Sequence, residues 1–159
     1  WTDLPKEEDI GAFLKACAMI IAEHCGGASG PIWSSAFRGA AKTANGKTEL
    51  DLKEFSELMQ GAVDGIQKTG GAKLGDKTLL DALIPATEAL KASAASSESL
   101  ALAVKKSAQE AVAGAEKTKD IVATKGRASY LGERSLSYPD AGATALGIIF
   151  THIADKLFA

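Results

Sequence analysis

The stretch Cys25-Gly26-Gly27-Ala28-Ser29-Gly30-Pro31-Ile32-Trp33 is a glycine-rich turn that runs directly into a segment with helical apolar spacing. Gly26, Gly27 and Gly30 free the backbone to take positive φ and leave room for a group to lie against the main chain. Ser29 is a favoured N-cap residue, and Pro31 is tolerated in a first turn because the N–H it lacks would be unpaired there. Such a helix start gathers free N–H groups and the positive end of the helix dipole, both suited to phosphate. Two readings stay open at this point: a tight connection between two helices, and a phosphate cradle.

Outward from the turn, every periodic segment has helical spacing, and no run alternates with the period of a strand. Upstream, Pro5 and Glu7-Glu8-Asp9 open a first helix whose acidic start suits its dipole, with Ile10, Phe13, Leu14, Cys17 and Ile21 as the apolar stripe. Downstream, a second helix from Ser29 carries Ile32, Trp33, Ala36, Phe37 and Ala40 on one side and ends at Asn45-Gly46. Asp51 and Glu54 have capping-box spacing, with Asp in place of Ser or Thr. They open a third helix that buries Phe55, Leu58, Met59, Ala62, Val63 and Ile66, positions that read as core.

A second glycine-rich connection, Thr69-Gly70-Gly71-Ala72-Lys73-Leu74-Gly75, leads to Asp76-Lys77-Thr78 and a fourth helix with Leu79, Leu80, Leu83 and Ile84. Pro85 is expected to kink that helix or to mark a change of packing within it. Residues 92–99 are small and polar and read as a surface loop. A long alanine-rich helix then runs from Leu100 into the region of Val122, with Gly114 tolerated at some cost. Between 124 and 142 the periodicity fails, and a loop of that length in a helical protein is functional or disordered. Its two arginines, hydroxyls and glycines suit a lid over phosphate, since arginine recognises phosphate oxygens in pairs. An ordinary solvated loop is the other reading. The last helix spans Ala143 to about Phe158, with Leu146, Ile149, Phe150, Ile153 and Leu157 expected inward and His152 off that stripe.

The 159 residues suit one domain with a real core, 46% hydrophobic and 24% charged, with a formal charge of −2. That charge does not indicate a nucleic-acid partner. No apolar run approaches the roughly 18 residues that span a bilayer, and no secretory signal is legible. Cys17 and Cys25 suit a reduced, cytoplasmic protein; their spacing matches no zinc site, and His24 reads as a helix-end residue. The expectation is an all-α bundle of about six antiparallel helices in a single domain, residues 1–159, with no membrane partner.

Three stretches together carry a resemblance. Gly26-Gly27-Ala28-Ser29-Gly30-Pro31, Gly75-Asp76-Lys77-Thr78 and Lys125-Gly126-Arg127-Ala128-Ser129-Tyr130-Leu131-Gly132-Glu133-Arg134-Ser135 occur in order, and the third is highly specific. The chain resembles the nucleotide-binding L subunits of bacterial dihydroxyacetone kinases, which are similar to the C-terminal domain of ATP-dependent dihydroxyacetone kinases. The resemblance implies a closed barrel of antiparallel helices that binds adenine nucleotide, ADP or ATP, at one end. It places Ala28 and Ser29 at the phosphates, Gly70 along the nucleotide, Leu79 against the adenine and Arg127 on the nucleotide. Asp140-Ala141-Gly142 matches the family's Asp-Pro-Gly turn, with Ala141 in place of proline.

The same resemblance marks a departure. The family's acidic turn, whose aspartates hold two Mg2+ ions at the nucleotide phosphates, has no counterpart here, and two helices of the family barrel are expected to be missing. No metal ligand and no catalytic base or nucleophile is therefore assigned, and the chain alone is expected to be inactive. The implied activity is transfer of a phosphoryl group from a phosphohistidine carrier protein, by way of bound ADP, to dihydroxyacetone on a separate substrate-binding subunit. Positioning and electrostatics would carry that step. The alternatives are the nucleotide domain of an ATP-dependent dihydroxyacetone kinase, and a non-catalytic helical regulatory module that has lost its metal site.

Overall fold

In a computed structural model of the chain, residues 9–158 are described, and every regular element among them is helical. The all-α expectation holds, with six α-helices. Pro5, Glu7 and Glu8 of the expected first helix start lie outside the described residues. The chain forms two compact units, Trp1–Gly71 and Ala72–Ala159.

The first unit contains α1 (Ile10–His24), α2 (Ser29–Thr43) and α3 (Leu52–Gly70). Asp9 caps α1 by accepting from the Ala12 amide at 2.9 Å, and its other oxygen accepts from Gly46 N at 2.5 Å, which ties the start of α1 to the turn after α2. The Asp51–Glu54 capping box is present in both directions, at 2.7 and 3.0 Å. It satisfies amides that the helix start would otherwise leave unpaired. α1 packs on α2 and α2 on α3. Glycines set the second spacing: a Cβ on Gly39 would fall 1.9 Å from the Gly61 carbonyl oxygen, and one on Gly65 2.2 Å from that of Ser35.

The second unit contains α4 (Leu80–Ala95), α5 (Leu100–Lys117), two 3-10 segments (Thr118–Asp120 and Arg127–Ser135) and α6 (Ala141–Leu157). α4 continues through Pro85 to Ala95, so only 96–99 of the expected 92–99 loop is non-helical, and Ser99 caps α5 through Leu102 N. Alanines 92, 94 and 95 extend the helix because they lose no side-chain entropy in it.

The expected apolar stripe fails in α6 and holds only in part in α1, where Cys17 is buried and Ile10, Leu14 and Ile21 are half-buried. In α6 Leu146 is buried, but Ile149, Ile153 and Leu157 are 45%, 42% and 68% exposed. The face that packs on α5 and α4 is instead built from Ala143, Leu146, Gly147 and Ala154. In α1 the buried residues are Gly11, Cys17 and Ala18, while Phe13 is exposed. Close helix approach is made by small residues, which hydropathy ranks low. The 124–142 stretch also departs from a structureless loop: its middle is a 3-10 segment broken at Gly132, and α6 starts two residues before Ala143. A 3-10 turn repeats every three residues and leaves no 3.6-residue signature.

Candidate functional site

In the second unit the turn before α4 is built around acidic side chains that bind main-chain amides. Asp81, in the first turn of α4, accepts from Gly75 N at 2.6 Å and from Thr78 N at 2.7 Å. Asp76 accepts from the Thr124 hydroxyl at 2.7 Å and from Lys73 N at 2.8 Å. The Thr124 hydroxyl first, and then the Lys73 amide, hold the Asp76 carboxyl below its ordinary range. Asp76 thereby clamps the start of the 124–142 stretch to the turn, which is reinforced by Thr124 N donating to Asp76 O at 3.3 Å.

Between them sits Lys77, 3% exposed and with left-handed backbone at φ 60°. Its ammonium donates to four main-chain carbonyls: Ser135 at 2.6 Å, Thr118 at 2.7 Å, Tyr138 at 2.8 Å and Ile121 at 3.0 Å. Three protons serve four acceptors, so at least one bond is shared.

Leu79 is the residue preceding α4 and is half-buried. Gly142, in the first turn of α6, packs directly on it: a Cβ there would fall 3.1 Å from Leu79 Cβ and 3.1 Å from Asp140 Oδ2. Asp140 is the N-cap of α6, accepting from Ala143 N at 2.8 Å, while its own amide donates to the Thr118 hydroxyl at 2.8 Å. Burial pushes the Asp140 carboxyl up, against the pull of the Ala143 and Gly142 amides. The nearby Asp81 charge adds to the rise, and Lys77 opposes it. Ala141, the first residue of α6, is exposed. The Asp140 side chain fixes this helix start without a proline at position 141.

The structure thus brings Leu79, Asp140 and Gly142 together. Arg127 opens the longer 3-10 segment after Gly126 (φ 65°) and is exposed. Among the described residues no hydrogen bond or ion pair engages its side chain, and none joins it to Leu79, Asp140 or Gly142. Ser129, by contrast, uses its hydroxyl on the Gly126 carbonyl at 2.6 Å.

In the first unit, Ala28 rather than Ser29 is the N-cap of α2, and it offers no side-chain bond. Ser29 is the first helical residue, so the cap that Ser29 was expected to provide is missing and the opening amides of α2 have no side-chain acceptor. Ala28 and Ser29 are exposed, and the space beside Gly26 and Gly27 is open. Gly70, the last residue of α3, reaches the same end of α2: a Cβ on it would fall 2.9 Å from Ile32 Cδ1.

Sequence reasoning assigned no role to Asp76, Lys77, Asp81, Thr118 or Ser135. Asp76 and Lys77 stood inside a quoted motif, where two charged residues just before an apolar helix were the available signal. Ser135 closed the third quoted motif, but nothing in that motif pointed to Lys77, and Thr118 carried no signal, because their bonds with Lys77 join positions 58 and 41 residues apart.

The fit of implied groups can be judged on these contacts. Magnesium takes octahedral oxygen coordination and is usually held by one or two carboxylates together with substrate phosphates and water. No group of three potential ligands occurs among the described residues, and the Asp76, Asp81 and Asp140 carboxylates are already bonded to amides and a hydroxyl. These residues do not fit magnesium. The chemistry of a nucleotide fits each unit better by itself: in the second, an unengaged guanidinium at Arg127 and a close, side-chain-free surface at Gly142 beside Leu79; in the first, the uncapped amides of the α2 start.

A family model described as the DAK2 domain matches residues 1–155. The chain is similar to the Escherichia coli (strain K12) protein named PEP-dependent dihydroxyacetone kinase, ADP-binding subunit DhaL, with 36% identity over 93% of this chain and 70% of that protein. It is also similar to the Lactococcus lactis PTS-dependent dihydroxyacetone kinase, ADP-binding subunit DhaL, at 36% identity over 89% of this chain and 66% of that one. Mouse triokinase/FMN cyclase shares 35% identity over 91% of this chain but only 25% of its own length. The chain therefore spans about two thirds of the bacterial subunits it matches.

Proposed function

The chain belongs to the DAK2 domain family, and from that premise we propose that it binds ADP as the phosphotransfer subunit of a dihydroxyacetone kinase. The observation that carries this reading is the convergence of Leu79, Asp140 and Gly142. Three positions matched to the family's nucleotide contacts on sequence alone come together at the adjoining starts of α4 and α6. Gly142 keeps the surface beside Leu79 low enough for a flat base to lie on an apolar side chain. Asp140 holds the α6 start in place, with Ala141 between them. Arg127 supplies a guanidinium that nothing in the described chain neutralises, suited to phosphate oxygens. On the family resemblance alone, Ala28 and Ser29 of the first unit are assigned to the phosphates and Gly70 to the nucleotide.

Under this proposal the bound nucleotide supplies the phosphoryl-accepting group. This chain's residues position it, and none serves as base or nucleophile. The phosphoryl donor is a phosphohistidine protein, and the acceptor is dihydroxyacetone on a separate subunit. The relatives' names, PEP- or PTS-dependent dihydroxyacetone kinase subunits, support this reading. The cytoplasm is the matching location, and no described helix is long and apolar enough to cross a membrane.

Calorimetry with ADP tests the reading. Arg127→Ala is expected to weaken binding by about 1.5–3 kcal/mol, the scale of a hydrogen bond to a charged group. Equal affinity in two well-folded proteins removes Arg127 from the site. The similarity to triokinase favours one further reading, the nucleotide domain of an ATP-dependent kinase. Exchange rates separate the two: ADP that survives purification marks a resident coenzyme, and fast ATP exchange marks the kinase domain.

A further inference from the structure

We infer that Lys77 is the positioning residue of the Arg127 segment, its ammonium doing the work that a bound monovalent cation would do among converging carbonyls. The loop it serves leaves α5 at Thr118 and returns to α6 at Asp140. Four of its carbonyls, those of Thr118, Ile121, Ser135 and Tyr138, turn inward onto one Nζ at 2.6–3.0 Å. Main-chain carbonyls that point at each other repel unless a cation or donor sits between them. Here the Lys77 Nζ does so, and among the described residues no carboxylate lies within ion-pair distance of it. A buried, unpaired ammonium is costly, so its environment has to be built for it. Part of that environment is the carboxy end of α5, where Thr118 is the cap residue and the helix dipole is negative.

The bonds around the ammonium show what it organises. Ala123 N donates to the Ser135 hydroxyl at 3.0 Å, Ser137 N to Lys119 O at 2.9 Å, and Asp140 N to the Thr118 hydroxyl at 2.8 Å. These three bonds close the base of the segment that carries Arg127, and Lys77 binds the carbonyls of Thr118 and Ser135 among them. The left-handed backbone of Lys77 directs a long side chain from the turn before α4 into this base, a conformation that a non-glycine residue adopts at a cost. Lys77 touches no ligand in this account. It acts through the loop, and the nucleotide consequence rests on the ADP reading above.

The test uses the full chain with Lys77→Met, which keeps most of the packing and removes the charge, and Lys77→Ala, which leaves room for an added amine. Amide hydrogen exchange is read at Ala123, Ser137 and Asp140, with Ile66 in α3 and Leu90 in α4 as references. In Lys77→Met the three loop-base amides are expected to exchange at least 30-fold faster and the references within 3-fold of wild type. In Lys77→Ala, millimolar propylammonium should restore protection, whereas propanol should not. ADP affinity should fall at least 10-fold in Lys77→Met and return in Lys77→Ala with propylammonium. Unchanged loop-base exchange in Lys77→Met overturns the inference. So does an equal acceleration at Leu90, which would make Lys77 a general stability residue, or rescue by propanol, which would make it a space filler. If wild type binds no ADP, the nucleotide reading fails while the exchange comparison still judges Lys77.

Discussion

Gly114 of α5 lies flat against the carbonyl oxygen of Asp81 in α4: a Cβ on Gly114 would fall 2.1 Å from it. The two features belong together, because Pro85 has no N–H and deprives that carbonyl of its usual helical donor. The expected change of packing at Pro85 is this contact, in which a glycine on the neighbouring helix closes over the freed carbonyl. A Cα–H···O contact is compatible with such an approach.

Gly114→Ala is therefore expected to destabilise the protein even though alanine is the better helix former. The overpacking loss of about 2–3 kcal/mol exceeds the ~1 kcal/mol gained in helix propensity, since backbone and not a flexible side chain is in the way. A urea titration checks this, and a midpoint equal to or above that of wild type would contradict it.

Gly142→Ala separates the site from the fold. The new methyl would press on Leu79 Cβ and Asp140 Oδ2 at 3.1 Å, distances that a few tenths of an ångström relieve. ADP affinity is expected to fall by about 1 kcal/mol, the lower range of overpacking effects. Far-UV circular dichroism should be unchanged. Undiminished affinity would place the nucleotide elsewhere.

Asp140 and Asp76 should give opposite slopes of stability with pH. The Asp140 carboxyl is raised, so between its unfolded value near 3.8 and its higher native value the folded chain holds the proton more tightly. Stability contributed by this group declines as pH climbs through that window. Asp140→Asn keeps an N-cap acceptor and should flatten the decline, starting just above pH 3.8. Asp76 is depressed, so its contribution is complete above 3.8 and is lost as pH falls toward its lower native value. Asp76→Asn should remove that acid-side loss. Denaturant midpoints across pH 3–7 measure both, and curves that simply shift in parallel would contradict the assignment.

Magnesium alone should give no saturable heat with this chain. The Asp76, Asp81 and Asp140 carboxylates already accept amide or hydroxyl donors, and no group of three potential ligands occurs among the described residues. A stoichiometric isotherm that disappears in Asp81→Asn would show that the carboxylates are more available than their bonds indicate.

Much of this protein was determined by neighbours a few residues apart. The helix starts at Asp9 and Asp51, the glycine turns, the end of α2 just before Asn45-Gly46 and the all-α class follow from bonds and repeats spanning three or four positions, which a linear chain displays directly. The three motifs also carried the family resemblance without any coordinates. Tertiary structure decided how far the expected stripes of α1 and α6 are buried: Cys17 and Leu146 are inside, but glycine and alanine make the closest contacts and leave Phe13, Ile149, Ile153 and Leu157 exposed. It also decided the shape of the Arg127 segment. The carbonyls that Lys77 gathers lie 41 to 61 residues away, and no local pattern records where a long side chain goes when its partners are main-chain atoms common to every residue.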